Sequence, residues 1–195
     1  MFTGIIEAEG RIKDIISENG TLLLEIESAL ASELKVDQSV AHNGICLTVI
    51  EANKLFHKVC AVQETIEKTS ISAWKPNDLI NLERCLKLND RLDGHLVQGH
   101  GDSKAICIAR IEEQNNWIFR FQIPKEFAPL IIEKGSVCVN GTSLTCFNVT
   151  IDTFDVAIIP YTFEHTTIRF VNEKDAVNIE FDVIGKYISR MKMVL

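Results

Sequence analysis

Ser39 to Val49 reads SVAHNGICLTV, and Ser136 to Cys146 reads SVCVNGTSLTC. Asn-Gly, at 43–44 and again at 140–141, separates two short runs in each stretch. Both central positions of a two-residue type I′ turn need φ > 0, which Asn and Gly tolerate best, so each stretch reads as a β-hairpin. Along the strand that follows, Cys46 and Thr48 share one face while Leu47 takes the other. Ser143 and Thr145 flank Leu144 in the same way.

The offset of 97 that carries Ser39 onto Ser136 also carries Asn43 onto Asn140, Thr65 onto Thr162, Asn81 onto Asn178 and Glu83 onto Glu180. It carries Gly4 onto Gly101 as well, so one offset without insertion is expected throughout, the mark of a duplication. Runs such as TLLLEIE, LFHKVCAV, WIFRFQI and TFDVAII are strand-sized. Six or so per half suggest a small closed barrel, which leaves no exposed sheet edge. The expected organisation is all-β: a barrel over 1–93, a second over 94–182 related to it by pseudo-twofold symmetry, and a helix over 183–195. Short helical signals are confined to SALASELK and PKEFAPLIIEK. In the last segment Val183, Ile184, Tyr187, Ile188, Met191 and Val194 fall at helical spacing. Their apolar stripe must pack either on its own barrel or on partner chains.

Composition narrows the function. With 46% hydrophobic and 24% charged residues the chain has the make-up of a globular protein. The formal charge of −7, with no Lys/Arg cluster on a candidate helix, argues against nucleic acid and anionic membranes as partners. No apolar run is long enough to span a bilayer, and the start, MFTGIIEAEG, has no basic leader or apolar h-region. A cytoplasmic protein with six free thiols is expected. None of the cysteines stands in CxxC spacing, and His95 and His100 lie five apart in GHLVQGH without a third histidine nearby, so no metal is expected. Glycine-rich phosphate loops, GxSxG and HExxH are missing.

Leu47 and Leu144 should fill the barrels, which turns Cys46, Thr48, Ser143 and Thr145 toward a neighbour or ligand. A single such hydroxyl on a strand is ordinarily only solvated; the same pair in both halves points to a site. Gly4 and Gly101 either let the backbone approach a flat ring closely or serve a strand bend. By the uniform offset His100 occupies the place of Thr3, putting an ionisable group in one half alone. Lys134 and Asp182 are likewise unmatched, opposite Asp37 and Cys85.

Met1-Phe2-Thr3-Gly4-Ile5, the stretch 39–49, GHLVQGH at 94–100 and NGTSLT at 140–145 together resemble the riboflavin synthase family over the whole chain. The resemblance implies two six-stranded Greek-key barrels, each holding one 6,7-dimethyl-8-ribityllumazine, and a C-terminal helix that gathers three chains. The active site would lie between the N-terminal barrel of one chain and the C-terminal barrel of another. There a four-carbon unit passes between two lumazines to give riboflavin and 5-amino-6-ribitylaminouracil, with no cofactor. It admits lumazine synthase as a further partner. A carrier of lumazine or flavin with the same fold is the alternative.

Carried over by position, the N-terminal pocket comprises Gly4, Ile5 and Ile6, Ser39, then Cys46, Leu47 and Thr48, and the segment Cys60, Ala61, Val62, Gln63, Glu64 and Thr65. The C-terminal pocket comprises His100, Gly101 and Asp102, then Ser143, Leu144 and Thr145. To these it adds Ile159, Pro160, Tyr161 and Thr162 with Phe163 and Glu164. Lys134 is expected to reach a neighbouring chain's ligand, and Asp182 to lie near the ribityl chain. Ser39, Cys46, Thr48 and Thr145 are expected to position the rings or a water. His100 is expected to assist proton transfer. Cys60 and Tyr161 depart from the family pattern, where Asp and Glu are usual.

Overall fold

The computed structural model describes residues 1–114 and 116–194; the last residue of the 183–195 segment lies outside them. The first barrel is built from β1 (Ala8–Glu18), β2 (Thr21–Ser28), β3 (Ser39–His42), β4 (Ile45–Ala52), β5 (Phe56–Ala61) and β6 (Leu79–Arg84). The second uses β7 (Ser103–Glu113), β8 (Asn116–Gln122), β9 (Ser136–Val139), β10 (Thr142–Phe147), β11 (Thr153–Ile158) and β12 (Ala176–Phe181). Both close antiparallel in the same order, β1-β2-β5-β4-β3-β6 and β7-β8-β11-β10-β9-β12. The predicted fold class is what the chain adopts.

Both Asn-Gly turns have the predicted backbone. Asn43 and Gly44 take φ of 46° and 77°, Asn140 and Gly141 take 45° and 83°, and the turns join His42 to Ile45 and Val139 to Thr142 across the hairpins. Leu47 is buried in the first core with Ile12, Ile26, Val49 and Leu82. Leu144 packs against the second, where Phe119, Phe121, Phe154 and Phe181 are fully buried.

The helical signals need correcting. SALASELK contributes only a 3-10 turn over Ala31–Glu33, and PKEFAPLIIEK a longer one over Lys125–Leu130 that contains Pro129. Helices appear instead at α1 (Gln63–Lys68) and α2 (Pro160–His165), six residues each and too short for apolar periodicity to reveal. The uniform offset also fails. β1 maps onto β7 and Gly4 onto Gly99, an offset of 95, whereas β3 onward keeps 97. The two added residues fall between β8 and β9, where the second half has the longer 3-10 turn. His100 is therefore the counterpart of Ile5, not of Thr3.

The barrels dock through their hairpin turns. Asn81 on β6 donates from Nδ2 to the Asn140 carbonyl (2.8 Å), and Asn178 on β12 donates to the Asn43 carbonyl (2.9 Å). Their Oδ1 atoms accept from Thr167 N and Ser70 N, again across the interface. These four bonds satisfy polar groups that docking removes from water. Gly44 and Gly141 meet so closely that a Cβ on Gly44 would lie 2.7 Å from the Gly141 nitrogen.

Two features break the symmetry. The first core holds His42 and His57, both fully buried with their Nε2 atoms 2.8 Å apart, where the second has Val139 and Phe154. His42 Nδ1 donates to the Val40 carbonyl, so in a neutral pair His57 Nε2 is the donor and His57 Nδ1 is left without a partner. Burial lowers the pKa of both, and for His42 the neighbouring His57 lowers it further. The second feature is α3 (Val183–Val194), which exposes Ile184, Tyr187, Ile188, Met191 and Val194. Its own barrel does not cover the stripe. Among the described residues no helix is long and apolar enough to cross a membrane.

Candidate functional site

Each barrel is entered by an extended arm. Phe2 and Val97 join the two arms by reciprocal backbone hydrogen bonds of 2.7 and 3.1 Å, and both side chains are buried. Beyond this crossing each arm turns at a glycine of positive φ, 78° at Gly4 and 80° at Gly99. The carbonyl of Gly4 accepts from Ser143 N (2.8 Å) on β10, and that of Gly99 accepts from Cys46 N (2.7 Å) on β4. A Cβ on either glycine would stand 2.6 Å from the Cβ of the residue it faces. The arms are thus exchanged: the first runs to the second barrel's hairpin, and the second to the first's.

The exchange corrects the grouping read from the sequence. Gly4 meets Ser143, while His100 and Gly101 line a pocket with Cys46; Ile5 is exposed and lines a separate cleft with Thr3, Glu83 and Arg84. A pocket of about 340 Å³ is lined by Ile45, Cys46, Glu64, Thr65, Lys68, Thr69, Gly99, His100 and Gly101. Around it, Ser39 pairs with Thr48 across β3 and β4. Burial pushes the Cys46 thiol above its ordinary range, with Ser39 opposing the rise. Cys46 is accordingly a neutral thiol at pH 7, able to donate a weak hydrogen bond but not poised as a thiolate nucleophile.

The other predicted residues divide. Thr48, Thr145 and His100 are exposed, and Cys60 and Ser143 are half-buried. Val62 and Ile159, exposed apolar residues at matched positions, precede α1 and α2. Leu47 and Ala61 point into the core, so only their backbones can reach a ligand. Ile6 is half-buried. Along α1, Gln63 bonds Glu67 and Glu64 bonds Lys68. In α2, which Pro160 opens, Phe163 stacks on Trp117 at 3.7 Å and Tyr161 on His165 at 4.2 Å. The carbonyls of Thr162 and Glu164 accept from Thr166 and Arg169. Asp102 turns from the pocket: its Oδ2 accepts from Phe181 N and pairs with Lys186 Nζ of α3 at 2.6 Å. Asp182 accepts from Ile184 N at the start of α3. Lys134 Nζ lies 5.7 Å from the Phe147 ring centroid.

The sequence marks His95 only as one of two histidines too few for a metal site. It is buried, and its Nδ1 lies 2.6 Å from Ser143 Oγ. Burial lowers its pKa, with Asp182 opposing, so at pH 7 a neutral imidazole meets the hydroxyl. The signal was GHLVQGH itself, but a match for His95 in the first half would precede Met1, so the repeat gave it no support. A larger cleft of about 740 Å³ between the barrels is lined by Arg11, Trp74, Lys104 and Phe170 among others. None of the predicted site residues lines it.

Residues 3–85 and 96–182 each match the Lumazine binding domain. The riboflavin synthase of Brucella abortus (strain 2308) is 40% identical over 98% of this chain and 98% of its own length. Those of Bacillus subtilis (strain 168) and Saccharomyces cerevisiae are 38% and 35% identical, each over 97% of this chain and over 89% and 85% of their own lengths. The chain belongs to the riboflavin synthase family. Among solved structures, LumP complexed with riboflavin superposes with a TM-score of 0.86 at 21% identity, covering 93% of this chain and 99% of LumP. LumP complexed with 6,7-dimethyl-8-(1'-D-ribityl) lumazine gives 0.84 at 20% identity, with the same coverage. At that identity LumP supports the fold alone. The family membership rests on the enzymes, and both of its repeats carry the exchanged arm and hairpin.

Proposed function

We propose that this chain converts two molecules of 6,7-dimethyl-8-ribityllumazine into riboflavin and 5-amino-6-ribitylaminouracil, one lumazine giving up four carbons to the other. The observation that carries the reading is the pair of cradles made from the same parts: an arm glycine bonded to the hairpin strand, a small polar pair on that strand, and an apolar residue ahead of a short helix. Two like substrates call for two like sites.

Chemistry needs one ring to lose a proton from its C7 methyl group and the other to accept a nucleophile at its own C7 before the rings join. Holding the reactants face to face supplies roughly 7 to 11 kcal/mol of such a barrier. In this reading Cys46, Ser39 and Thr48 orient one ring and Thr145 and Ser143 the other. His95 fixes the Ser143 hydroxyl, and His100, exposed at the pocket of Cys46, moves a proton. The exposed stripe of α3 supports assembly into a trimer in which one chain's N-terminal pocket faces another's C-terminal pocket, since a contiguous apolar face seeks cover. A cytoplasmic location goes with this reading.

Purified protein mixed with the lumazine, with no metal or nucleotide added, is expected to form one riboflavin for every two lumazines consumed, followed by absorbance. Binding without turnover would make the chain a carrier instead.

A further inference from the structure

Glu83 on β6 and Glu180 on β12 are matched carboxylates, 4% and 2% exposed. A carboxyl buried this deeply carries a desolvation cost that specific hydrogen bonds must offset. Here they come from the arms. Glu83 Oε1 accepts from Thr3 N (2.6 Å) and Thr3 Oγ1 (2.8 Å), and its Oε2 from Gly4 N (3.0 Å). Glu180 Oε1 accepts from Gln98 N (2.6 Å), and its Oε2 from Gly99 N and His100 N (2.8 Å each). The residues held this way include the two glycines whose carbonyls bind Ser143 N and Cys46 N.

We propose that Glu83 and Glu180 are positioning residues that act crosswise. Glu83, in the N-terminal barrel, fixes the arm that closes the pocket around Ser143 in the C-terminal barrel. Glu180, in the C-terminal barrel, fixes the arm that closes the pocket around Cys46 in the N-terminal one. The proposal rests on the reading that both cradles hold lumazine. It assigns a function to two residues that touch no ligand: each half of the duplication completes the other half's site.

The test is Glu83→Gln and Glu180→Gln, which keep the side-chain shape but replace one accepting oxygen with a donor. Amide hydrogen exchange at Ser143 and Cys46, resolved by NMR on the full chain, needs no ligand. In Glu83→Gln, exchange at Ser143 is expected to quicken roughly tenfold with Cys46 unchanged, and in Glu180→Gln the reverse, the size expected for losing a charge-assisted hydrogen bond. Titration with 6,7-dimethyl-8-ribityllumazine, read on the same two amides, should show the affinity falling by the same factor at the crosswise pocket alone. Equal effects on both amides would mean general loosening, and an effect within the same barrel would reverse the wiring; either overturns the proposal. Crossed exchange in a protein whose amides ignore the lumazine would leave the wiring standing and overturn the functional reading instead. Should the Gln variants fail to fold, the unmutated chain decides. On titration, shifts at Thr3 and Gly4 must follow the Ser143 curve, and those at Gln98 and Gly99 the Cys46 curve. The opposite pairing refutes the proposal.

Discussion

At the scale of single residues, the duplication supplies its own control for the buried histidine pair. The second barrel fills the corresponding space with Val139 and Phe154, so an apolar filling is sterically possible in this architecture. The histidines are neutral in the folded protein because burial lowers both pKa values below 6.5. As the pH falls below 6.5, the unfolded chain takes up protons that the folded chain refuses, and stability drains away toward acid; above 6.5 the penalty vanishes. The double variant His42→Val with His57→Phe is therefore expected to shift the midpoint of acid unfolding to lower pH, with no loss of stability at pH 7, as followed by circular dichroism. A midpoint that stays put would show that other groups set the acid limit. A second residue-scale expectation concerns His95. Replacing it with Ala removes the partner of Ser143 Oγ and is expected to lower kcat by roughly 10²-fold, the loss that a small misplacement of a positioning group can cause, with a smaller change in KM. An unchanged kcat would return His95 to a structural role.

Among elements, the Asn-Gly hairpins were the most legible in the sequence, because positive φ at both turn positions restricts residue choice there more than burial does elsewhere. The turns meet across the interface, however, and only the structure shows it. Gly44→Ala places a methyl group against the Gly141 backbone at φ 77°. The left-handed conformation alone costs about 1 to 2 kcal/mol for an alanine, so a lower urea midpoint is expected, with the clash adding to it. The arms were half legible. Gly4 stood out, but the uniform offset sent it to Gly101 when its partner is Gly99, because two residues enter the second half between β8 and β9. Residue matches fix an offset only where matched residues occur, and few lie between Gly4 and Ser39. The short helices α1 and α2 escaped because six residues are less than two turns. The strand hydroxyls and thiol, by contrast, emerged from alternation alone, since a strand's two faces follow a strict period of two.

For the whole molecule, α3 is tied to the site as well as exposed. Lys186 pairs with Asp102, two residues past His100 on the arm that closes the Cys46 pocket. A chain ending at Asp182 is expected to sediment as a monomer, to bind lumazine still, and to turn it over poorly; an intact trimer would refute the assembly role. The pseudo-twofold exchange of arms carries a different consequence, one of timing. The arm around Gly4 must wait for a distant segment, because the Gly4 carbonyl has no partner until Ser143 has been made. At about 5 to 20 residues per second that delay is on the order of ten seconds. Closing so long a loop is also entropically costlier than forming any hairpin within a barrel. Both barrels can be complete while both sites are still open, so on refolding from urea the strand signal should return before the capacity to bind ligand does.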